Sequence, residues 1–139
     1  MKVHIVAVGK LKNGYVAEGV KDYYERIKHY IPITMVETKQ ENPFNMITEE
    51  GFHIVLDAQG KLMTSEEFAS FIEDLLTTQS NDVYFYIGGP EGFSEAFKNN
   101  AQMRISLSLM TFPHELARLF FLEQLYRALT IIKGEKYHK

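Results

Sequence analysis

Short runs of continuous apolar residues alternate along this chain with stretches in which apolar residues recur every three to four positions. Val3 to Val8 is a continuous apolar run rich in β-branched residues, the pattern of a strand covered on both faces. Gly9 to Gly14 is a loop. From Tyr15 to Tyr30, Val16, Val20, Tyr23, Tyr24 and Ile27 recur at helical spacing, with Asn13 as N-cap and Pro32 closing the segment. Ile33 to Val36 is a second strand. Thr38 to Asn45 is polar, carries the turn signal Asn42-Pro43, and reads as a flexible loop. Phe52 to Leu56 is a third strand, closed by Asp57 to Lys61. Thr64 with Glu67 forms a capping box ahead of the stripe Phe68, Phe71, Ile72, Leu75, Leu76. Asp82 to Ile87 is a fourth strand, followed by a glycine turn and a short helix capped by Ser94. Arg104 to Leu107 is a fifth strand. Pro113 opens the longest helix, whose apolar face runs from Leu116 through Leu119, Phe120, Leu122, Tyr126 and Leu129 to Ile132, and Gly134 ends it.

Strands alternating with helices predict one α/β domain over residues 1–139, with a mainly parallel sheet and helices on both faces. Such sheets bind ligands beyond the carboxyl ends of their strands. The loops after strands three, four and five carry Leu56-Asp57, Gly88-Gly89 and Ser108 to Phe112. These three loops are the expected walls of a pocket.

Composition narrows the chemistry. With 139 residues, 45% of them apolar and 24% charged, the chain is long enough for a single core. It has no cysteine, which removes disulfides, thiolate catalysis and Cys-based zinc sites. No two of its histidines (4, 29, 53, 114 and 138) stand at the i, i+4 spacing of a helical metal site, so no metal is expected. No apolar run approaches the ~18 residues of a membrane span. Met1 to Gly9 lacks the length and cleavage site of a leader, and a cytoplasmic protein is expected. The net charge of −3 is unevenly placed. Residues 103–139 hold Arg104, Arg118, Arg127, Lys133, Lys136 and Lys139 against only Glu115, Glu123 and Glu135. A basic end on an acidic body fits local contact with a polyanion, but on charge alone it is read first as a helix whose late lysines complement its dipole.

The first strand–helix loop excludes several nucleotide folds. It has a lone Gly9 where a dinucleotide fold needs three glycines. Its Gly9 to Gly14 spacing suits a P-loop, but Tyr15-Val16 follows in place of Lys-Ser/Thr. A phosphoacceptor receiver would need acidic residues after strand one, where Gly9-Lys10 stands. The chemistry therefore sits late in the chain. Gly88-Gly89-Pro90-Glu91-Gly92 can bring bare backbone against a flat ligand, or can simply be a tight turn. Ser108 and Thr111 offer hydrogen bonds to a ligand, or N-caps to the last helix. His114 reads as a packed or neutral hydrogen-bonding residue, Tyr126 as core, and Glu123 with Arg127 as an i, i+4 ion pair. Tyr137-His138-Lys139 combines an aromatic, an imidazole and a cation, a set suited to base stacking and phosphate contact, although frayed ends are common.

Taken together, Val6 to Lys10, Val55 to Asp57, Ile87 to Gly92, Leu107 to His114, Glu123 to Ala128 and Tyr137-His138 resemble the RlmH family over essentially the whole chain. These are SPOUT-class methyltransferases of N3 of a pseudouridine in large-subunit (23S) ribosomal RNA. The resemblance implies a deep C-terminal trefoil knot, a homodimer, a ribosomal substrate, and bent S-adenosylmethionine in the knot. By matching motifs, cofactor contacts are expected from Leu56, Gly88, Leu107, Ser108, Leu109, Met110, Thr111 and Phe112. Arg127, Tyr137 and His138 are expected on the RNA side, with the tail meeting cofactor across the dimer. His138 is the expected proton acceptor, with Asp57 its rival, and Arg127 the stabiliser of the imide anion. Competing readings are a SPOUT enzyme acting on tRNA and a non-enzymatic doubly wound binding module. The chain is shorter than many family members between strands two and three, and Lys139 stands where an Arg often follows the Tyr-His pair.

Overall fold

The computed structural model describes residues 1–137. Five strands and five helices alternate as β1 (Val3–Val8), α1 (Gly14–Ile27), β2 (Ile33–Thr38), α2 (Phe44–Ile47), β3 (Phe52–Leu62), α3 (Ser65–Thr78), β4 (Val83–Ile87), α4 (Glu95–Lys98), β5 (Met103–Ser106) and α5 (His114–Lys133). The strands form one sheet in the order β2-β1-β4-β3-β5, and every paired strand runs parallel.

The apolar runs become the middle of the sheet because both their faces are covered. On one face Val3, Ile5 and Ala7 of β1 join Val83, Phe85 and Ile87 of β4 beneath α1, α3 and α5. On the other, Val6, Val55, Tyr84 and Tyr86 pack with Ile47 of α2 and Phe97 of α4. The two layers are unequal: three long helices on one side, two single-turn helices on the other. Crossover handedness accounts for the division. The steps β1→β2 and β3→β4 move one way across the sheet, and β2→β3 and β4→β5 move the other way. A right-handed connection must then place α1 and α3 on one face and α2 and α4 on the opposite face. α5 follows the last strand and packs between α1 and α3.

Local chemistry sets most boundaries. The capping box forms, with Thr64 Oγ1 accepting from the Glu67 amide at 3.0 Å and Glu67 Oε1 accepting from the Thr64 amide at 2.8 Å. Ser94 caps α4. Gly134 takes the left-handed conformation that closes α5. Asn13 precedes α1 but makes no side-chain cap; the Glu115 carboxylate accepts the Lys12 and Asn13 amides at 3.0 and 3.1 Å instead. The polar segment after β2 is a loop only as far as Pro43, since α2 begins at Phe44, whose ring packs edge-on against Phe97 at 5.4 Å.

β3 departs furthest from its expected end. It pairs with β5 through Ile54, Val55 and Leu56, leaves the ladder, and pairs again through Lys61 and Leu62, so that Ile105 faces both Leu56 and Lys61. At Gly60 the chain lies directly on β5, and a Cβ there would stand 2.7 Å from backbone atoms of Arg104 and Ile105.

On the thinly covered face, Thr34, His4, Tyr84 and His53 stand in register across four strands. The Tyr84 ring stacks on His4 at 4.5 Å and on His53 at 4.6 Å. His53 is buried, with Nε2 2.8 Å from the Glu49 carbonyl and Nδ1 2.8 Å from the Tyr86 hydroxyl. A carbonyl only accepts, so Nε2 carries the proton and Nδ1 accepts from Tyr86. Among the described residues no helix is long and apolar enough to cross a membrane, and no three His, Cys, Asp or Glu side chains gather to hold a metal ion.

Candidate active site

The carboxyl ends of β3, β4 and β5 meet the start of α5 around a cleft of about 220 Å³. Leu56, Asp57 and Ala58 form one wall, Gly88, Gly89 and Gly92 a second, and Leu107, Ser108, Met110, Thr111 and Phe112 a third, with His114 and Ala117 of α5 behind. All the residues expected to hold cofactor therefore come together except Leu109, which is 81% exposed and does not line the cleft.

The glycine turn is built for approach. The Gly92 amide donates to the Gly89 carbonyl at 3.0 Å, and Gly92 takes φ +69°, a conformation L side chains rarely adopt. At Gly88 a Cβ would meet Gly92 Cα at 3.3 Å, and at Gly89 it would meet Val8 Cγ1 at 3.1 Å. The turn is thus pressed against β1, and backbone forms its face on the cleft.

The serine loop is tied to itself. Ser106 Oγ donates to the Ser108 carbonyl at 2.9 Å and accepts from the Ser108 amide at 3.3 Å, while Ser108 Oγ accepts from the Met110 amide at 3.0 Å. Neither Ser108 nor Thr111 caps α5, whose N-cap position is Pro113. The hydroxyls shape the wall rather than end the helix. Asp57 is held by cations, its Oδ2 3.2 Å from Lys98 Nζ and 3.6 Å from Arg104 Nη1.

Arg118 was visible in the sequence only as a charge. Its side chain is 2% exposed, with Nη2 donating to the Val8 and Gly9 carbonyls at 3.3 and 2.8 Å and Nη1 to Glu37 Oε2 at 2.6 Å. It clamps the ends of β1 and β2 to α5, one residue beyond Ala117 of the cleft. The available signal was a cation inside the apolar stripe of a helix, where charges are rare unless paired.

A second cavity of about 300 Å³ shares Ser106, Leu107 and Phe112 with the cleft and extends past Ser65, Phe68 and Phe120 to Glu123 and Gln124. A polar string leaves it along α5. Ser65 Oγ donates to Gln124 Oε1 at 2.7 Å, Gln124 Nε2 to Glu123 Oε1 at 2.7 Å, and Arg127 Nη2 to Glu123 Oε2 at 2.9 Å. Arg127 and Tyr137 come together, but not at the cleft. Arg127 lies about 15 Å beyond Ala117 along the helix axis, at ~1.5 Å per residue. Burial first, then hydrogen bonding to Tyr23 and Glu123, pushes the Tyr137 phenol well above its ordinary pKa. His138 and Lys139 lie outside the described residues.

Residues 1–138 match the family model described as a predicted SPOUT methyltransferase. The chain belongs to the SPOUT methyltransferase family. A Coprothermobacter proteolyticus protein named ribosomal RNA large subunit methyltransferase H is 99% identical over 139 residues, which is 100% of both chains. Two solved structures share the fold at low identity. One is a methylase family protein from Haemophilus influenzae Rd KW20, with a TM-score of 0.57 and 9% identity over 95% of this chain and 66% of that one. The other is a Legionella pneumophila protein solved with the cofactor SAM bound, with a TM-score of 0.51 and 13% identity over 95% of this chain and 66% of that one.

Proposed function

We propose that this SPOUT methyltransferase uses S-adenosylmethionine to methylate N3 of a pseudouridine in 23S ribosomal RNA on the assembled ribosome. The observation that carries the reading is the convergence of Leu56, Gly88, Leu107, Ser108, Met110, Thr111 and Phe112 on one cleft. The name of the near-identical relative supports the large-subunit rRNA substrate. The two separate pairings of β3 with β5, with the close approach of Gly60 between them, are consistent with the trefoil knot that the resemblance implies.

The cleft fits the cofactor in kind. Its glycine wall offers bare backbone where any Cβ would crowd Gly92 or Val8, which suits the flat face of an adenine. Leu56, Leu107 and Phe112 supply apolar surface around it. When bound, S-adenosylmethionine supplies an electrophilic methyl group on a sulfonium. The residues of this chain then have to bind it bent, exclude water and place N3 of the base in line with the methyl carbon.

Arg127 stabilises the imide anion left when N3 loses its proton. Its buried Nε has no hydrogen-bond partner among the described residues, leaving a donor for an incoming acceptor. Tyr137 stacks beside it and His138 accepts the proton, while Asp57, committed to Lys98 and Arg104, serves the loop. Because Arg127 and Tyr137 stand away from the cleft in their own chain, a homodimer brings them to the partner's cofactor. The exposed apolar side chains Leu109, Met110, Phe112 and Phe120 beside the cleft support such a contact. Neither cytoplasmic location nor the dimer rests on the fold alone; both follow from a ribosomal substrate and a divided site.

Calorimetry with S-adenosylmethionine, followed by methyl transfer onto ribosomes, free rRNA and tRNA, tests the reading. Cofactor heat and transfer to ribosomes are expected. An absence of cofactor heat would leave only a non-enzymatic binding module, and transfer to tRNA alone would replace the substrate.

A further inference from the structure

Tyr23, on α1, reaches across 114 residues of sequence to the end of the described chain, with its hydroxyl 3.0 Å from that of Tyr137. The contact sits in a closed aromatic group. Tyr126 meets Tyr137 edge-on at 5.0 Å and lies 5.8 Å from Tyr23. The Arg26 guanidinium is 5.6 Å from the Tyr23 ring and 5.5 Å from the Tyr126 ring, and Arg26 Nε is held by Asp22 at 3.2 Å. On the far side Arg127 lies 4.7 Å from the Tyr137 ring centroid.

The tail reaches this group after a sharp reversal. Gly134 takes φ +69°, and the Glu135 amide returns to the Thr130 carbonyl at 2.9 Å. Glu135 and Lys136 are exposed, and Tyr137 turns inward and is half-buried. Packing alone would hold a phenylalanine at 137 equally well. The paired hydroxyls add direction, because they fix which edge of the Tyr137 ring points at α1 and so which face it turns to Arg127.

We propose that Tyr23 is a positioning residue for methyl transfer, which through its hydroxyl bond to Tyr137 sets how the Tyr137 ring lies against Arg127. The proposal rests on the role given above to Arg127 and Tyr137. Tyr23 touches neither cofactor nor base and acts through Tyr137.

Tyr23→Phe, Tyr137→Phe and the double variant, made in the full chain, test it. Tyr23→Phe should bind S-adenosylmethionine with unchanged Kd and lose about three- to tenfold in kcat/KM on ribosomes, the effect of one hydrogen bond. The double variant should lose no more than Tyr137→Phe alone, since one bond is removed in both. Carboxypeptidase digestion followed by mass spectrometry gives a readout independent of activity. Release of Tyr137 should be several-fold faster from Tyr23→Phe than from the wild type, at an unchanged melting temperature. Wild-type kcat/KM, losses that multiply in the double variant, or an unchanged rate of Tyr137 release would each overturn the proposal. Failure of the wild-type chain to bind S-adenosylmethionine would instead defeat the functional reading, and the digestion would still decide whether Tyr23 anchors the tail.

Discussion

The Arg127 guanidinium lies over the ring of Tyr137 at 4.7 Å and is held on its other side by Glu123 at 2.9 Å. A planar, forked guanidinium can stack on the ring face while donating in its own plane; an ammonium group is a compact point charge with no face to stack. Arg127→Ala should lower kcat on ribosomes by about 10²-fold or more, the scale of losing a charge-stabilising donor. Arg127→Lys should recover little of it. Calorimetry should find the same S-adenosylmethionine affinity in both, and a matching fall in cofactor affinity would reassign Arg127 to the cofactor cleft.

Gly60→Ala should be the most damaging single methyl addition in the chain. The new Cβ would meet main-chain atoms of Arg104 and Ile105 at 2.7 Å, which no rotamer change relieves. The expected cost is more than ~3 kcal/mol, seen as a large fall in melting temperature or loss of soluble protein. Wild-type melting would mean that the two strands separate there freely. Gly92→Ala offers a contrast: nothing stands within 4 Å, and only its backbone conformation is strained.

The contrast between these glycines also marks what was legible in the sequence. Local and periodic signals read correctly: the β-branched run of β1, the Thr64–Glu67 box, the stripe of α3, and Gly134 as terminator; the stripe read for α5 was offset, since Phe121, Leu125 and Ala128 are fully buried there and Phe120 is exposed. The pocket walls were legible because loops after parallel strands share a rim. What failed was set by residues far apart in the chain. Glu115 anchors the Lys12 and Asn13 amides leading into α1, where Asn13 makes no side-chain cap. The second leg of β3 exists only because β5 lies beside it, so Asp57 to Lys61 looked like an ordinary loop end. Phe44 to Ile47 forms a turn of helix that buries Ile47 beside Phe97 and Tyr86, against a polar flank that suggested none. Leu109 belongs to the right loop but faces away from the cleft, a distinction that spacing does not carry.

His53 should make stability depend on pH. Burial holds its folded-state pKa below the ordinary value of about 6.5. Above about pH 6.5 both folded and unfolded chains are neutral here, and the contribution is complete. As pH falls below that value the unfolded chain takes up a proton that the folded chain refuses, so stability declines until the depressed folded value is reached. Melting temperature should therefore fall as pH drops below about 6.5, and more gently in His53→Gln. Asp82, whose carboxyl is lowered by His4 and the Lys2 amide, acts in a separate window below about pH 4. Equal slopes in wild type and variant would remove His53 from the account.

Arg118→Met should cost about 2–3 kcal/mol, because the Val8 and Gly9 carbonyls lose their donor while the half-exposed Glu37 can be solvated again. Val8 braces Gly89, so cofactor affinity should weaken as well. Differential scanning fluorimetry with and without S-adenosylmethionine separates the two effects. A stability loss with unchanged cofactor binding would confine Arg118 to the scaffold.

The cleft draws on residues from Leu56 to Ala117, and its third wall begins only at Ser106. Synthesis runs in the same direction. A chain still being made has most of its sheet strands in hand long before it has anywhere to hold a cofactor, and Arg127 and Tyr137 come later still. The protein is therefore silent until it is nearly complete, and truncated products, however well their early strands pair, should neither compete for cofactor nor occupy its target.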